Sequence, residues 1–136
     1  MSESAARSTL VKKLRRLDAQ PIESHMKSGV PDVNHKFGWI EMKALDGWPK
    51  VASDRPIRFK HPLMVGQKVW IRRRLRSGGS VSLCAKVGSE WFFWDCKTFD
   101  LDKFGLMSKP DMHFTADLHY KRILDVDEVA SWLSEI

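Results

Sequence analysis

Polar and apolar residues alternate from Trp39 to Ala44, in a run that is rich in β-prone side chains. A period of two predicts a strand whose even-numbered residues face a core and whose odd-numbered residues point the other way. Val30 and Val33 predict a preceding strand, and residues 34–38 are turn formers. The pattern therefore predicts a β-hairpin.

Leucines at helical spacing mark the N-terminal segment, which predicts a helix from Ser2 to Leu17. The apolar stripe of this helix consists of Leu10, Leu14 and Leu17. Ser2 or Ser4 is suited to be the N-cap. Gln20-Pro21 ends the helix, and residues 22–25 predict a short strand.

A second helix is predicted from Leu63 to Ser77, closed by Gly78-Gly79. Its apolar arc consists of Leu63, Met64, Trp70, Ile71 and Leu75. Gln67 and Arg74 fall inside this arc, seven residues apart. Polar groups in an apolar stripe need partners. Either both are satisfied edge residues, or both reach a site beside the hairpin.

The remaining chain contains two further strands and a last helix. Residues 81–87 and 91–96 predict strands joined by Gly88-Ser89, with the weak alternation of strands covered on both faces. Asp125 begins a helix with Glu128 in a capping-box position. The apolar face of this helix consists of Val126, Val129, Trp132 and Leu133. Residues 99–120 give no clear pattern, and residues 46–62 predict a long basic loop of the kind that is often functional.

The chain has 136 residues, which fits one domain with a real hydrophobic core. No apolar run is long enough to span a membrane and no signal peptide precedes the domain, so we expect a soluble, cytoplasmic protein. Cys84 and Cys96 lack the spacing of a zinc ribbon, and each lies in an apolar run. We expect buried free thiols.

The net charge of +6 favours a polyanionic partner, either nucleic acid or an anionic membrane surface. The basic residues form two groups, and the last third of the chain is less basic. The first group consists of Lys12, Lys13, Arg15 and Arg16. The second group consists of Lys68, Arg72, Arg73, Arg74 and Arg76. Apart from Lys68, we predict that these eight side chains hold backbone phosphates without reading sequence.

The predicted hairpin carries the candidate chemistry. Glu41 and Lys43 share one face of its second strand, and the turn brings Asp32 beside Glu41. Two carboxylates this close repel each other unless a cation lies between them. Oxygen ligands suit a hard ion such as Mg²⁺ or Mn²⁺. The alternative is a solvated strand face, which is common in a charged chain.

Three histidines, His25, His35 and His61, lie near the hairpin in sequence. Each by itself is more typical of a surface or turn residue than of a metal ligand. The sequence contains neither a His-x-x-His pair nor a helix-borne His-Glu pair that would indicate zinc.

The order of these motifs resembles the PD-(D/E)xK nuclease superfamily, and more narrowly the VRR-NUC family of small phage and repair nucleases. The resemblance covers about residues 1–95. The residues that carry it are Glu3-Ser4, Ile22-Glu23, Gly29 to Val33, Gly38 to Lys43, Trp48 to Lys50, Gln67 to Trp70 and Gly78-Gly79. It implies a mixed α/β fold, a restriction-endonuclease-like core in which a central mixed β-sheet is flanked by helices. One nuclease domain would span residues 1–136, with a core at about 1–96 and a C-terminal extension at 97–136.

The resemblance also implies roles for individual residues. Asp32 and Glu41 would bind Mg²⁺, which Mn²⁺ can replace, together with the main-chain carbonyl of Met42. Lys43 would position or deprotonate the attacking water, and Gln67 would support the site. Glu3 would be the acid of the first helix. Glu23 is a rival acid, although pairing with a basic residue is the more usual role.

The implied activity is DNA phosphodiester hydrolysis that leaves a 5′-phosphate. Branched DNA, such as a Holliday junction or a flap, fits better than a sequence-specific target, because no base-reading motif is present. The resemblance also implies a homodimer with two sites across the branch. Two alternatives are a non-catalytic nucleic-acid-binding module and a repair subunit that needs a partner for activity.

Overall fold

The computed structural model describes residues 2–23, 29–50 and 54–136, which form a mixed sheet flanked by helices. The four helices of the described residues are α1 (Glu3–Lys13), α2 (Val65–Arg76), α3 (Lys109–Thr115) and α4 (Val126–Glu135). The same residues form six strands, β1 (Gln20–Pro21), β2 (Val33–His35), β3 (Gly38–Leu45), β4 (Val81–Val87), β5 (Glu90–Asp95) and β6 (Leu118–Tyr120). Spatial order in the sheet follows chain order. The predicted mixed α/β fold is confirmed.

One parallel pair, β3 with β4, lies at the centre of the sheet, and the other neighbours are antiparallel. A parallel pair needs a crossover, and α2 provides it. The predicted hairpin is present as β2 and β3, and His35 pairs with Gly38. Its turn is shorter than predicted, because Asn34 and His35 belong to β2.

The sheet separates two hydrophobic cores. On one face α2 packs over Val81, Leu83 and Ala85 of β4. On the other face α1 and α4 pack over Ile40 and Met42 of β3. Every residue of β4 is buried, as expected for a strand covered on both sides.

The predicted N-terminal helix is divided in two. Ser2 caps α1 through its side chain, which accepts a hydrogen bond from Ala5 N–H. A 3₁₀-helix at Arg15–Leu17 follows and ends at Asp18, whose φ of 52° reverses the chain. The stripe of Leu10, Leu14 and Leu17 is buried, as predicted.

The predicted strand at residues 22–25 is wrong for its described part. The strand is formed one step earlier by Gln20 and Pro21, which pair with Asn34 and Val33. Proline is acceptable there because β1 is an edge strand, where a missing N–H donor is tolerated. His25 lies outside the described residues.

The C-terminal segment completes the sheet. Residues 99–120, which gave no pattern, form a 3₁₀-helix at Leu101–Lys103, then α3 and β6. The predicted last helix is confirmed, and Asp125 accepts a hydrogen bond from Glu128 N–H at its start. The Glu128 carboxylate accepts a hydrogen bond from the Tyr120 hydroxyl, so one arm of the predicted capping box is present.

Both cysteines are buried free thiols, as predicted. Among the described helices, none has the length and apolar character needed to cross a membrane. The six tryptophans are buried or partly buried, which places them in the cores.

Candidate active site

The position of Asp32 follows from the point at which β2 begins. Val33 still pairs with Ile40, but the chain before it turns away from β3. At this point a side chain takes the place of a backbone acceptor for β3. The Asp32 Oδ2 accepts a hydrogen bond of 3.0 Å from Met42 N–H. Asp32 is thereby held beside the middle of β3.

Glu41 and Lys43 share the α2 face of β3, as the alternation predicted, but they are not on a solvated surface. Their relative exposures are 1% and 2%. Lys43 Nζ lies 3.1 Å from Glu41 Oε2, so the two charges form a buried pair. A buried ion pair is rarely retained for stability alone, because desolvation offsets most of its attraction. Because both side chains are buried, the alternative of a solvated strand face is wrong.

Gln67, in the first turn of α2, joins both of these side chains. Its Nε2 donates a hydrogen bond of 3.0 Å to Glu41 Oε2, and its Oε1 lies 3.5 Å from Lys43 Nζ. The same Oε1 accepts a hydrogen bond from Met64 N–H at the start of the helix. Gln67 thus fixes the orientation of Glu41 from across the β3–α2 interface.

Close packing of backbone holds these elements together. Gly29 has a φ of +92°, and a Cβ built there would lie 2.3 Å from the Gly66 carbonyl oxygen. Only glycine fits this close approach. The segment that leads to Asp32 is thereby packed directly on the first turn of α2.

Arg74 does not join this group, which corrects the hypothesis that both polar residues of the arc reach the site. Its guanidinium lies 4.8 Å from the Trp70 ring centroid and 5.7 Å from that of Trp39. Met64 was also misplaced in the apolar arc, because it precedes the first turn and is 60% exposed.

Glu3 completes an acidic site that we define as Glu3, Asp32 and Glu41. One carboxylate oxygen from each residue lies within 4.8 Å of the others. Glu3 reaches the site because it begins α1, directly after the Ser2 cap. Glu23, the rival acid, is exposed and lies 3.6 Å from Arg7, in the pairing role expected of it.

The electrostatics of the acidic site favour a bound cation. Burial, followed by the negative charge of Asp32, raises the pKa of Glu41 to about 8 despite the neighbouring Lys43. Burial also raises the pKa of Glu3. Glu41 Oε1 is buried without a hydrogen-bond partner among the described residues. A buried carboxylate that has an orphaned oxygen and is grouped with two further acids fits a hard divalent ion. Met42 contacts Asp32 through its N–H, and the role of its carbonyl stays a prediction.

An open cleft of about 760 Å³ leads to the acidic site. Glu3 and Asp32 line it together with Arg7, Lys60 and His61, three residues that the sequence did not assign to the site. Arg7 Nη1 lies 3.9 Å from Asp32 Oδ1. Lys60 and His61 belong to the long basic loop. The length and the charge of that loop were the sequence signals that could have assigned these two residues to the site. The cleft thus places cationic side chains next to carboxylates.

The predicted DNA-binding residues lie away from this cleft. All eight are exposed: Lys12, Lys13, Arg15, Arg16, Arg72, Arg73, Arg74 and Arg76. The two groups lie near the C-terminal ends of α1 and α2, which pack on opposite faces of the sheet. Lys12 is nine positions after Glu3, a distance of about 13 Å along a helix. Two of these arginines already have acidic partners, Arg16 with Asp127 and Arg72 with Asp102.

His35, the histidine within the hairpin, supports the fold. His35 is buried in β2, and burial lowers its pKa to about 4. Its Nδ1 accepts a hydrogen bond from Phe37 N–H in the hairpin turn. His35 therefore supports the turn and has no contact with the acidic site.

The cleft leads to an acidic site of three carboxylates, and a buried lysine and a glutamine contact Glu41 behind it. Comparisons of the chain with protein-family models, with curated proteins and with solved structures found no match. Function is therefore inferred from the geometry and chemistry of this cleft.

Proposed function

We propose that this protein is a divalent-metal-dependent endonuclease that hydrolyses phosphodiester bonds in DNA. The observation that carries the proposal is the buried Glu41. Its Oε2 contacts Lys43 and Gln67, and its Oε1 is buried without a partner among the described residues. One of its oxygens lies within 4.8 Å of an oxygen of Asp32 and of Glu3. A binding module has no need to bury an incompletely satisfied carboxylate, which costs free energy. A site that must hold a cation and a reacting phosphate does.

Glu3, Asp32 and Glu41 would hold the ion. When bound, Mg²⁺ supplies positive charge to the phosphate and acidifies an attacking water. Lys43 adds a fixed positive charge where negative charge develops on the phosphate, and such preorganised groups act strongly in a water-excluded site. Gln67 keeps Glu41 and Lys43 in place, so the site does not reorganise during reaction.

The cleft suits a phosphodiester substrate. Arg7, Lys60 and His61 line it and can attract a phosphate to a site that otherwise carries three acids. The net charge of +6 provides a general attraction to a polyanion. The exposed basic ends of α1 and α2 offer further backbone contacts on both sides of the sheet.

Branched DNA is the substrate that we propose within this class. The basic surfaces lie on two faces of the sheet, so separate DNA arms can contact them, whereas one straight segment would reach only one. A homodimer on a Holliday junction stays a prediction from the sequence resemblance.

The decisive experiment for the proposal is a nicking assay on supercoiled plasmid with purified protein. We expect nicked product with Mg²⁺ or Mn²⁺ and none with EDTA. We also expect the nicks to be sealed by DNA ligase without prior kinase treatment, because cleavage leaves a 5′-phosphate. Labelled junctions, flaps and linear duplexes of equal length then test substrate choice. Binding to all of these DNAs with no cleavage in either metal would identify a non-catalytic binding module instead.

Metal affinity should rise with pH through the range set by Glu41. Only the ionised carboxylate binds the ion, so a proton competes below a pKa of about 8. We expect Mn²⁺ affinity to rise by up to about tenfold per pH unit from pH 6 to 8 and to level off above that. Electron paramagnetic resonance of free Mn²⁺ measures the affinity, and calorimetry in two buffers measures the released proton. In Glu41→Gln the pH dependence should weaken to the part that Glu3 contributes, and a flat affinity in the unaltered protein would contradict the assignment.

A further inference from the structure

A second cluster of metal-ligand side chains lies on another part of the sheet. It consists of Glu90 at the start of β5, His113 in α3 and His119 in β6, and we name it the histidine cluster. One ligand atom from each residue lies within 4.8 Å of the others. His113 Nε2 and His119 Nε2 both point at Glu90 Oε1, at 3.2 and 2.9 Å.

The hydrogen bonds of His113 show that its Nε2 shares a proton or a metal ion with Glu90. Its Nδ1 lies 2.9 Å from the Lys109 carbonyl oxygen, to which it can only donate. A neutral imidazole carries one N–H, so its Nε2 then presents a lone pair to Glu90 Oε1. Two lone pairs that face each other at 3.2 Å need a proton or a metal ion between them. A histidine whose other nitrogen donates to a carbonyl is the usual arrangement of a metal ligand.

The carboxylate of Glu90 is oriented in the same way. Trp48 Nε1–H donates to Oε2 and leaves Oε1 for the two histidines. The rings are also fixed by packing, because His119 stacks on Phe92 with centroids 4.6 Å apart and His113 stacks on Trp48 at 5.8 Å. All three ligand side chains are thus held in place by neighbours.

The spacing fits a tetrahedral ion. Ligand atoms about 2.0–2.1 Å from a tetrahedral zinc lie about 3.3–3.4 Å from one another. The observed separations of 2.9 and 3.2 Å need to open by only a few tenths of an ångström. Two imidazoles with one carboxylate suit Zn²⁺, whereas an oxygen-only set suits Mg²⁺.

The histidine cluster is separate from the acidic site. Lys43 pairs with Ala85, Ala85 with Phe92 and Phe92 with His119, so these residues form one row across the sheet. Three steps between strands place His119 about 14 Å from Lys43. Two ions that share one phosphoryl-transfer reaction lie about 3.5–4 Å apart. The cluster therefore cannot supply a second catalytic ion.

We propose that Glu90, His113 and His119 bind a Zn²⁺ ion that fastens α3 and β6 to β5. The three ligands leave one coordination position for water or a small ligand. Through Glu90 the ion would also fix Trp48, which lies near the start of the long basic loop that reaches the cleft at Lys60 and His61. The site thus stabilises the C-terminal segment, and through Trp48 it anchors the near end of that loop.

Zinc titration of the untagged, metal-free protein tests this proposal. We expect one equivalent of Zn²⁺ to bind in competition with a chromophoric chelator, in the presence of excess Mg²⁺, and to raise the melting temperature. His113→Gln and His119→Gln should each weaken zinc binding by at least about tenfold. Glu90→Gln is a further variant that retains an acceptor for Trp48 and should fold. Co²⁺ in place of zinc should give the visible absorption of a tetrahedral ion, and each variant should lose it.

His61→Gln and Asp32→Asn are the matched controls, because both alter the acidic cleft and should leave zinc binding unchanged. Zinc binding that survives substitution of all three ligands would overturn the proposal, as would binding only at millimolar zinc. Failure of either kind leaves the nuclease proposal untouched, since that proposal depends on cleavage with Mg²⁺.

Discussion

Asp32→Asn is expected to abolish Mg²⁺-dependent cleavage of DNA without unfolding the protein. The variant loses a charged ligand of the acidic site, and an ion contributes several kcal/mol to the reaction, so we expect a loss of about 10³-fold or more. Asparagine retains a side-chain oxygen for Met42 N–H, so the hairpin should keep its geometry. The plasmid-nicking rate measures the loss.

Thermal denaturation separates this effect from a structural one. The charge of Asp32 is one of the causes that raise the pKa of Glu41, so its removal relieves repulsion in the metal-free protein. The metal-free variant should melt at or above the temperature of the unaltered protein, and Mn²⁺ should no longer raise that temperature. Glu23→Gln is the matched control, because it neutralises the other acid beside Arg7. Equal loss of cleavage in both variants would contradict a specific role for Asp32.

The hairpin could be predicted from sequence because its signals are local. Alternation over Trp39 to Ala44 fixes which residues share a face, and the turn lies within a few residues. Burial of Glu41 and Lys43 was not predictable from that pattern. Both faces of β3 are covered. The helix that covers Glu41 and Lys43 is α2, which lies more than twenty residues further along the chain.

The helical wheel placed Gln67 and Arg74 together, but in the structure only Gln67 contacts Glu41. The two residues share an angle on the wheel, but seven residues separate them by about 10 Å along the axis. The start of α2 lies against Glu41, and its end lies over Trp39 and Trp70. Angle alone therefore cannot show which polar residue reaches the site.

The histidine cluster gave no sequence signal at all. Its residues lie 23 and 29 positions apart from Glu90. They lie on a seven-residue helix and a three-residue strand, which are too short to give a periodic pattern. Long-range pairing of β5 with β6 brings them together.

Lys43→Met is expected to lower the cleavage rate by about 10²–10³-fold, the usual cost of removing one preorganised group that stabilises a transition state. Methionine retains most of the length and flexibility of the lysine stem, so it leaves less of a cavity than alanine at a site that is 2% exposed. Quenched-flow or plasmid-nicking kinetics at saturating Mg²⁺ measure the rate.

The pH dependence of this variant distinguishes a catalytic lysine from a merely supporting one. Lys43 lowers the pKa of Glu41, so its loss should shift metal binding to higher pH. If Lys43 acted only through Glu41, cleavage would recover at a higher pH, where the carboxylate is ionised again. We expect Mn²⁺ affinity to recover there and cleavage to stay low, because the charge facing the phosphate is still missing. Lys86→Met, a lysine of the neighbouring strand β4, is the control and should cleave DNA at the normal rate.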